Sequence, residues 1–273
     1  MKRLGAVARF TTFSLLFVGI LLIHAGPCCA QNQDGEASDQ SISAFDKPDF
    51  NRQIYYKNKL ELSFDTGWLW YNTPLILDPI IGDKFKREPG LPNYTLVPLD
   101  FSIRWHLYDI CGPSILRGNT DFSFAGSYTV VEKGPESRYI AVVAGLRYNF
   151  IQPNWRLIPY LELRGGMGFT NAQQPDEVAE HQPAIGQGQD FTFNFMMGAG
   201  VRYNFNPTYS VSVGINYMHV SNMYLSEPKY YNHGINVLGP CFGLNVALPS
   251  ITSVFHTMTE GVKIPLDQVG AKF

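Results

Sequence analysis

The sequence predicts an all-β chain, an eight-stranded antiparallel barrel of the outer-membrane kind, and three observations carry that prediction. Eight segments of about ten residues or longer alternate between polar and apolar side chains. Charged residues on those segments share a face, opposite the bulky aliphatic and aromatic residues. An export signal opens the chain, and beyond it no run approaches the roughly 18 uninterrupted apolar residues that a spanning helix needs.

Residues 1–30 read as a secretory signal: Lys2, Arg3 and Arg9, an apolar stretch over 13–23, then Pro27-Cys28-Cys29-Ala30, with cleavage expected after Ala30. Pro27 stands where a lipoprotein site needs a small or apolar residue. Losing those three basic residues leaves 18 basic against 23 acidic, a net charge of −5, so nothing in the charge points to nucleic acid. Residues 31–50 are polar and without period and read as a flexible lead. Only Cys111 and Cys241 remain in the mature chain, with neither CxxC nor zinc-ligand spacing; one bridge between them is compatible with the sequence.

The barrel is expected over 51–248. Its first segment, 60–71, sets Leu60, Leu62, Phe64 and Trp68 against Glu61, Ser63 and Asp65. The second, 99–107, sets Leu99, Phe101, Ile103, Trp105 and Leu107 against Asp100, Ser102, Arg104 and His106. Segments 121–131 and 139–150 follow, with Phe122, Phe124, Tyr128 and Val130, then Ile140, Val142, Leu146 and Tyr148, on the apolar face. In 157–169, Leu161, Leu163, Met167 and Phe169 oppose Tyr160, Glu162 and Arg164; in 191–205, Phe191, Phe193, Phe195, Met197 and Tyr203 oppose Asn194 and Arg202. The seventh, 209–222, puts Tyr209, Val211, Val213, Ile215, Tyr217, His219 and Ser221 on one face. The eighth, 236–248, keeps Asn236, Leu238, Phe242, Leu244 and Val246 in phase, with Pro240 expected to interrupt its hydrogen bonding.

Segments of this length exceed soluble strands and match the roughly 9 to 11 residues of a tilted membrane strand. Eight is the strand number of the smallest outer-membrane barrels. Arg104, Glu162, Arg164 and Arg202 are then interior residues that pair with opposite charges. A soluble lipocalin-like barrel is the alternative, and it would turn the aromatic face inward. Long connections at 74–92, 170–190 and 223–233 contrast with tight ones at Asn206-Pro207 and Gln152-Pro153-Asn154, which places the end of the seventh segment at the outer rim. Residues 249–273 are expected to form a periplasmic tail ending on an aromatic residue, Phe273, of the kind the barrel-assembly machinery reads.

Parity makes the seventh segment chemical. His219 and Ser221 lie on the apolar face, so on a membrane barrel a base and a hydroxyl meet the lipid boundary, where an acyl chain lies. Asn236 returns on the neighbouring strand with the same facing and can hold the imidazole tautomer, while Asn222, Asn232 and the backbone near Gly234 are candidate oxyanion donors. Interfacial polar decoration of a structural or adhesive barrel is the bland alternative.

These residues resemble a known family, the lipid A 3-O-deacylases of the PagL type, also called acyloxyacyl hydrolases. The likeness rests on His219-Val220-Ser221-Asn222, on Asn232-His233-Gly234-Ile235-Asn236, on Ile158-Pro159-Tyr160-Leu161-Glu162, on Gly165 to Gly168, and on Phe193-Asn194-Phe195 before Gly198 to Tyr203. It covers roughly the second half of the mature chain. The resemblance implies an eight-stranded outer-membrane barrel that removes an ester-linked acyl chain from lipid A or a similar glycolipid with no cofactor; the sequence offers no metal ligands and leaves a homodimer open. His219 would be the general base, Ser221 the nucleophile, and Asn232 or Asn222 an oxyanion contributor. Asn236 stands where well-understood members carry glutamate, and Glu227 in the adjacent connection is the acidic helper the resemblance leaves available.

Overall fold

A computed structural model describes residues 49–75, 91–172, 186–223, 225–226 and 234–249. The export signal, most of the lead and residues 250–273 lie outside the described residues.

The alternating segments become strands with the parity expected of them. In chain order they are β1 (Leu60–Gly67), β2 (Tyr71–Asn72), β3 (Thr95–His106), β4 (Gly118–Lys133), β5 (Arg138–Phe150), β6 (Leu157–Thr170), β7 (Phe191–Asn204), β8 (Tyr209–Ser221) and β9 (Ile235–Ala247). All pair antiparallel with their neighbours, and β1 pairs with both β3 and β9, which closes the sheet. β1 and β2 are one stave broken at Trp68 to Trp70: Gly67 faces Cys241 and Tyr71 faces Leu238 on the same strand β9. The barrel therefore has eight staves, and closure leaves no free edge for its backbone groups.

Pro240 does not end the last strand. It lies within β9 opposite Ile215, and its carbonyl accepts the Trp68 N–H at 3.0 Å. The donor that proline lacks falls beside the break in the first stave, where the ladder is already irregular.

Over the charged part of the barrel the polar side chains of each stave point inward and the apolar ones outward. Leu62, Phe101, Ile103, Phe124, Ile140, Val142, Leu161, Val213, Ile215 and Leu244 are exposed on the outer wall. Aromatic residues border this band at both ends, Trp105, Phe205 and Tyr209 at one and Trp68, Trp70, Tyr71 and Phe169 at the other. Such a wall is stable only against hydrocarbon, so the barrel spans a membrane, and the lipocalin-like alternative, with aromatics inside, is overturned.

The interior has two storeys. Toward the β5–β6 turn, Arg104 bonds Asp65, Asp121 and Glu162 at 2.9–3.2 Å, and Glu162 also takes Arg147 and Arg164. Arg164 reaches Asp100, and Arg202 with Lys59 clasps Glu61. The five buried cations thus meet five carboxylates, as charges in low dielectric must. Toward the other end the filling is apolar: Leu69, Leu96, Val131, Tyr139, Met196, Met218, Val220 and Val237.

The chain before β1 closes the charged end. A 3-10 helix, Phe50–Gln53, starts on the Asp49 side chain, and Ile54 and Tyr55 pack on Ile151 and Ile158. Tyr55 lies under the Arg202 guanidinium at 5.4 Å from the ring centroid. Connection lengths follow the expected division only in part. The β3–β4 connection at the closed end holds a second 3-10 helix, Ser114–Leu116, while the opposite end includes a short link, residues 134–137, between β4 and β5.

Candidate active site

β8 carries the site because strand parity continues through its last residues to Ser221. His219 and Ser221 share the outward parity of β8, two residues and roughly 6.7 Å of rise apart, His219 half-buried and Ser221 buried. Phe195 on β7 stands opposite His219 and Phe193 opposite Ser221, so an apolar wall flanks both.

On the other side of β8, Asn236 is the direct register partner of His219. Its Oδ1 lies 2.9 Å from His219 Nδ1, and its Nδ2 donates to the Gly234 carbonyl at 3.3 Å. The carboxamide is thereby oriented with its oxygen toward the ring. An amide oxygen only accepts, so Nδ1 carries the proton and Nε2 is the basic nitrogen. That tautomer suits a general base toward a neighbour along the strand.

Tyr217 is the residue that alternation alone does not reveal. It belongs to the lipid-facing row, yet it is only 2% exposed, between Met197 on β7 and Leu238 on β9. Its hydroxyl donates to Asn236 Oδ1 at 2.6 Å. The Asn236 oxygen therefore receives two donors, one on each lone pair. A buried tyrosine hydroxyl with a partner two strand positions from the imidazole is the signal that marks it.

Beyond Ser221 the chain leaves the strand abruptly. Met223 takes φ 53°, uncommon for a non-glycine residue, and this turn brings its N–H back to Ser221 Oγ at 3.2 Å. Asn222, on the inward parity of β8, is completely buried. Asn222 Nδ2 donates to the Gln187 carbonyl and to Ser226 Oγ, each at 2.7 Å, so its amide organises the connections rather than facing the lipid side with Ser221. Gly234 lies close under the imidazole: a Cβ there would sit 3.1 Å from His219 Cε1. Asn232 and Glu227 lie outside the described residues. Cys111 and Cys241 are not bridged to one another.

The structure thus brings His219, Asn236 and Gly234 together, with Ser221 two residues further along the same face of β8 and the Asn222 amide bonded inward. A base, a hydroxyl and an orienting acceptor beside an apolar wall can transfer an acyl group from an ester.

The profile of a family described as lipid A 3-O-deacylase (PagL) matches residues 102–245, more than half of the chain. No curated protein matches. Among solved structures, the outer membrane enzyme PagL is 17% identical, with 67% of this chain and 97% of that chain covered and a TM-score of 0.43. Neisserial surface protein A is 12% identical, covering 69% and 96%, with a TM-score of 0.37. The N-terminal β-barrel domain of Pseudomonas aeruginosa OprF is 14% identical, covering 69% and 98%, with a TM-score of 0.35.

Proposed function

This chain belongs to the lipid A 3-O-deacylase (PagL) family, and we propose that it is an outer-membrane serine esterase whose His219–Ser221 pair cleaves an ester-linked acyl chain of lipid A or a similar glycolipid. The observation that carries this reading is the lipid-side placement of Ser221 and of a His219 whose tautomer Asn236 fixes.

The acyl chain lies along the outer wall beside Phe193 and Phe195, which brings its ester to the strand end. Ser221 Oγ attacks the carbonyl carbon as His219 Nε2 takes the hydroxyl proton. The tetrahedral intermediate collapses with cleavage of the bond to the sugar oxygen, which leaves with the proton from Nε2. Water then attacks the acyl-Ser221 carbonyl, losing a proton to His219 Nε2; collapse breaks the bond to Oγ, Nε2 returns the proton to Ser221, and the free fatty acid departs. Through each step Asn236 Oδ1 holds Nδ1–H and keeps the ring in register. Asn232 and the backbone near Gly234 are the oxyanion donors we assign, since the Asn222 amide is engaged elsewhere.

A neutral amide orients imidazole without compensating the imidazolium that forms, so turnover slower than with a carboxylate is expected. The same substitution is what a structural barrel with a degenerate site would carry, and one experiment separates the two readings. Mass spectrometry of lipid A is run on cells making the wild-type protein and cells making Ser221→Ala at equal outer-membrane abundance. Loss of one hydroxyacyl mass in the wild type alone supports the esterase. Identical spectra remove lipid A as the substrate under those conditions.

A further inference from the structure

We propose that Glu136, in the short link between β4 and β5, is a positioning residue for the site, acting through a hydrogen-bonded chain that joins all four connections at the open end and stops beside Ser221; this rests on the function proposed above. Glu136 is 3% exposed, and among the described residues no salt bridge reaches its carboxylate. Burying a carboxylate without a cation is costly, so its two oxygens need strong donors. They have them. Tyr94, from the connection before β3, donates its hydroxyl to Oε2 at 2.8 Å, and Gln187, from the connection between β6 and β7, donates its N–H to Oε1 at 2.8 Å.

Both outer ends of this bridge continue. The Tyr94 backbone is paired with the Asn72 side chain at the end of β2, N–H to Oδ1 at 2.8 Å and carbonyl to Nδ2 at 2.9 Å. The Gln187 carbonyl accepts from Asn222, whose Nδ2 also holds Ser226 Oγ. Asn222 adjoins the nucleophile, and the turn it pins is the one whose Met223 N–H reaches Ser221 Oγ. Space for the bridge is made by Gly186 at φ +119°, where a Cβ would fall 2.3 Å from Glu136 Oε1. The barrel itself closes without Glu136, because each stave is held by its own ladder. What the carboxylate determines is where the turn after Ser221 stands.

A glutamine at this position keeps the volume but has one acceptor oxygen where two donors converge, and alanine has none. The full chain, reconstituted in liposomes containing lipid A, is compared as wild type, Glu136→Gln, Glu136→Ala, Asn222→Ala and the Glu136→Ala/Asn222→Ala double variant. Folding is scored by the heat-modifiable migration of the barrel, and backbone ordering by hydrogen exchange at residues 223–226. Expected are a kcat lowered about tenfold in Glu136→Ala with KM within about twofold, an intermediate value for Glu136→Gln, and faster exchange at 223–226 in both. The double variant should match Asn222→Ala rather than multiply the two losses. Unchanged kcat and exchange, or multiplicative losses, would overturn the proposal; if Glu136→Ala fails to fold, Glu136→Gln decides by the same two readouts. A wild-type chain without deacylation would defeat the esterase reading instead, and exchange at 223–226 would still decide the coupling of the four connections.

Discussion

Asn236 faces His219 across the β8–β9 ladder, with its carboxamide oxygen 2.9 Å from the imidazole Nδ1. The contact supplies direction to the ring and no charge. Replacing the amide by a carboxylate of similar reach adds the missing charge at the moment the imidazolium forms. Asn236→Glu is therefore expected to raise kcat about tenfold, the worth of roughly 1.4 kcal/mol of added transition-state stabilisation, while Asn236→Ala lowers it. Steady-state release of fatty acid from lipid A in detergent micelles measures both. A glutamate variant no faster than the wild type would show that the imidazolium is already compensated.

Tyr217 holds the same oxygen from the other side at 2.6 Å. Tyr217→Phe keeps the ring between Met197 and Leu238 and removes only the hydroxyl, so the barrel should fold as before. Without its second donor the carboxamide is free to tilt off Nδ1. A loss of about fivefold in kcat is expected, in line with about 1 kcal/mol for one buried hydrogen bond. Equal kcat in the two proteins would mean that Gly234 alone orients Asn236.

Much of this was legible in the residues because a membrane barrel has a sharp contrast between its faces. Arg104, Glu162, Arg164 and Arg202 alternate with bulky neighbours, and each proves to be an interior ion-pair partner. The lipid-side parity of His219, Ser221 and Asn236 is legible for the same reason. Alternation is blind where the interior is itself apolar, so Met218, Val220 and Val237, buried in the upper storey, carry no signal against their outward neighbours. Asn222 keeps the inward parity of the strand; what alternation does not reveal is the left-handed turn at Met223 and the bonds of the Asn222 amide to Gln187 and Ser226. The plug formed by Ile54 and Tyr55 has no period, since it follows the shape of the barrel mouth rather than a strand. Tyr217 needed its cross-strand neighbours to be known before its burial could be read.

Glu162 is the anion on which the lower storey converges, bonded by Arg104, Arg147 and Arg164. Glu162→Gln keeps its shape and leaves three guanidiniums around a neutral group in a dry interior. A loss of about 3–5 kcal/mol is expected, the range for removing one partner of a buried ion pair. Urea titration of the reconstituted barrel, followed by its heat-modifiable migration, reads the effect. A midpoint within error of the wild type would mean that Asp65, Asp100 and Asp121 alone balance these arginines.

Asp49 ties the segment before β1 to the closed end of the barrel, bonding Arg117 at 2.6 Å and accepting the Asn154 N–H at 2.9 Å. Partial burial pushes its carboxyl up, but the Asn154 and Asn51 N–H groups and the Arg117 guanidinium outweigh this and hold it below its ordinary 3.8. A carboxyl depressed in the folded state stabilises fully above its unfolded pKa and loses that contribution as pH falls through the folded one. The segment should therefore loosen on the acid side, below about pH 4, and stay seated at neutral pH. Trp155 reports the event, because its carbonyl accepts from the Asn51 amide at 2.9 Å. Its fluorescence should change on acidification in the wild type, and in Asp49→Asn the acid-side change should be absent, the segment being loosened at every pH. An unchanged acid transition in Asp49→Asn would assign it to another carboxylate and leave Asp49 a helix cap alone.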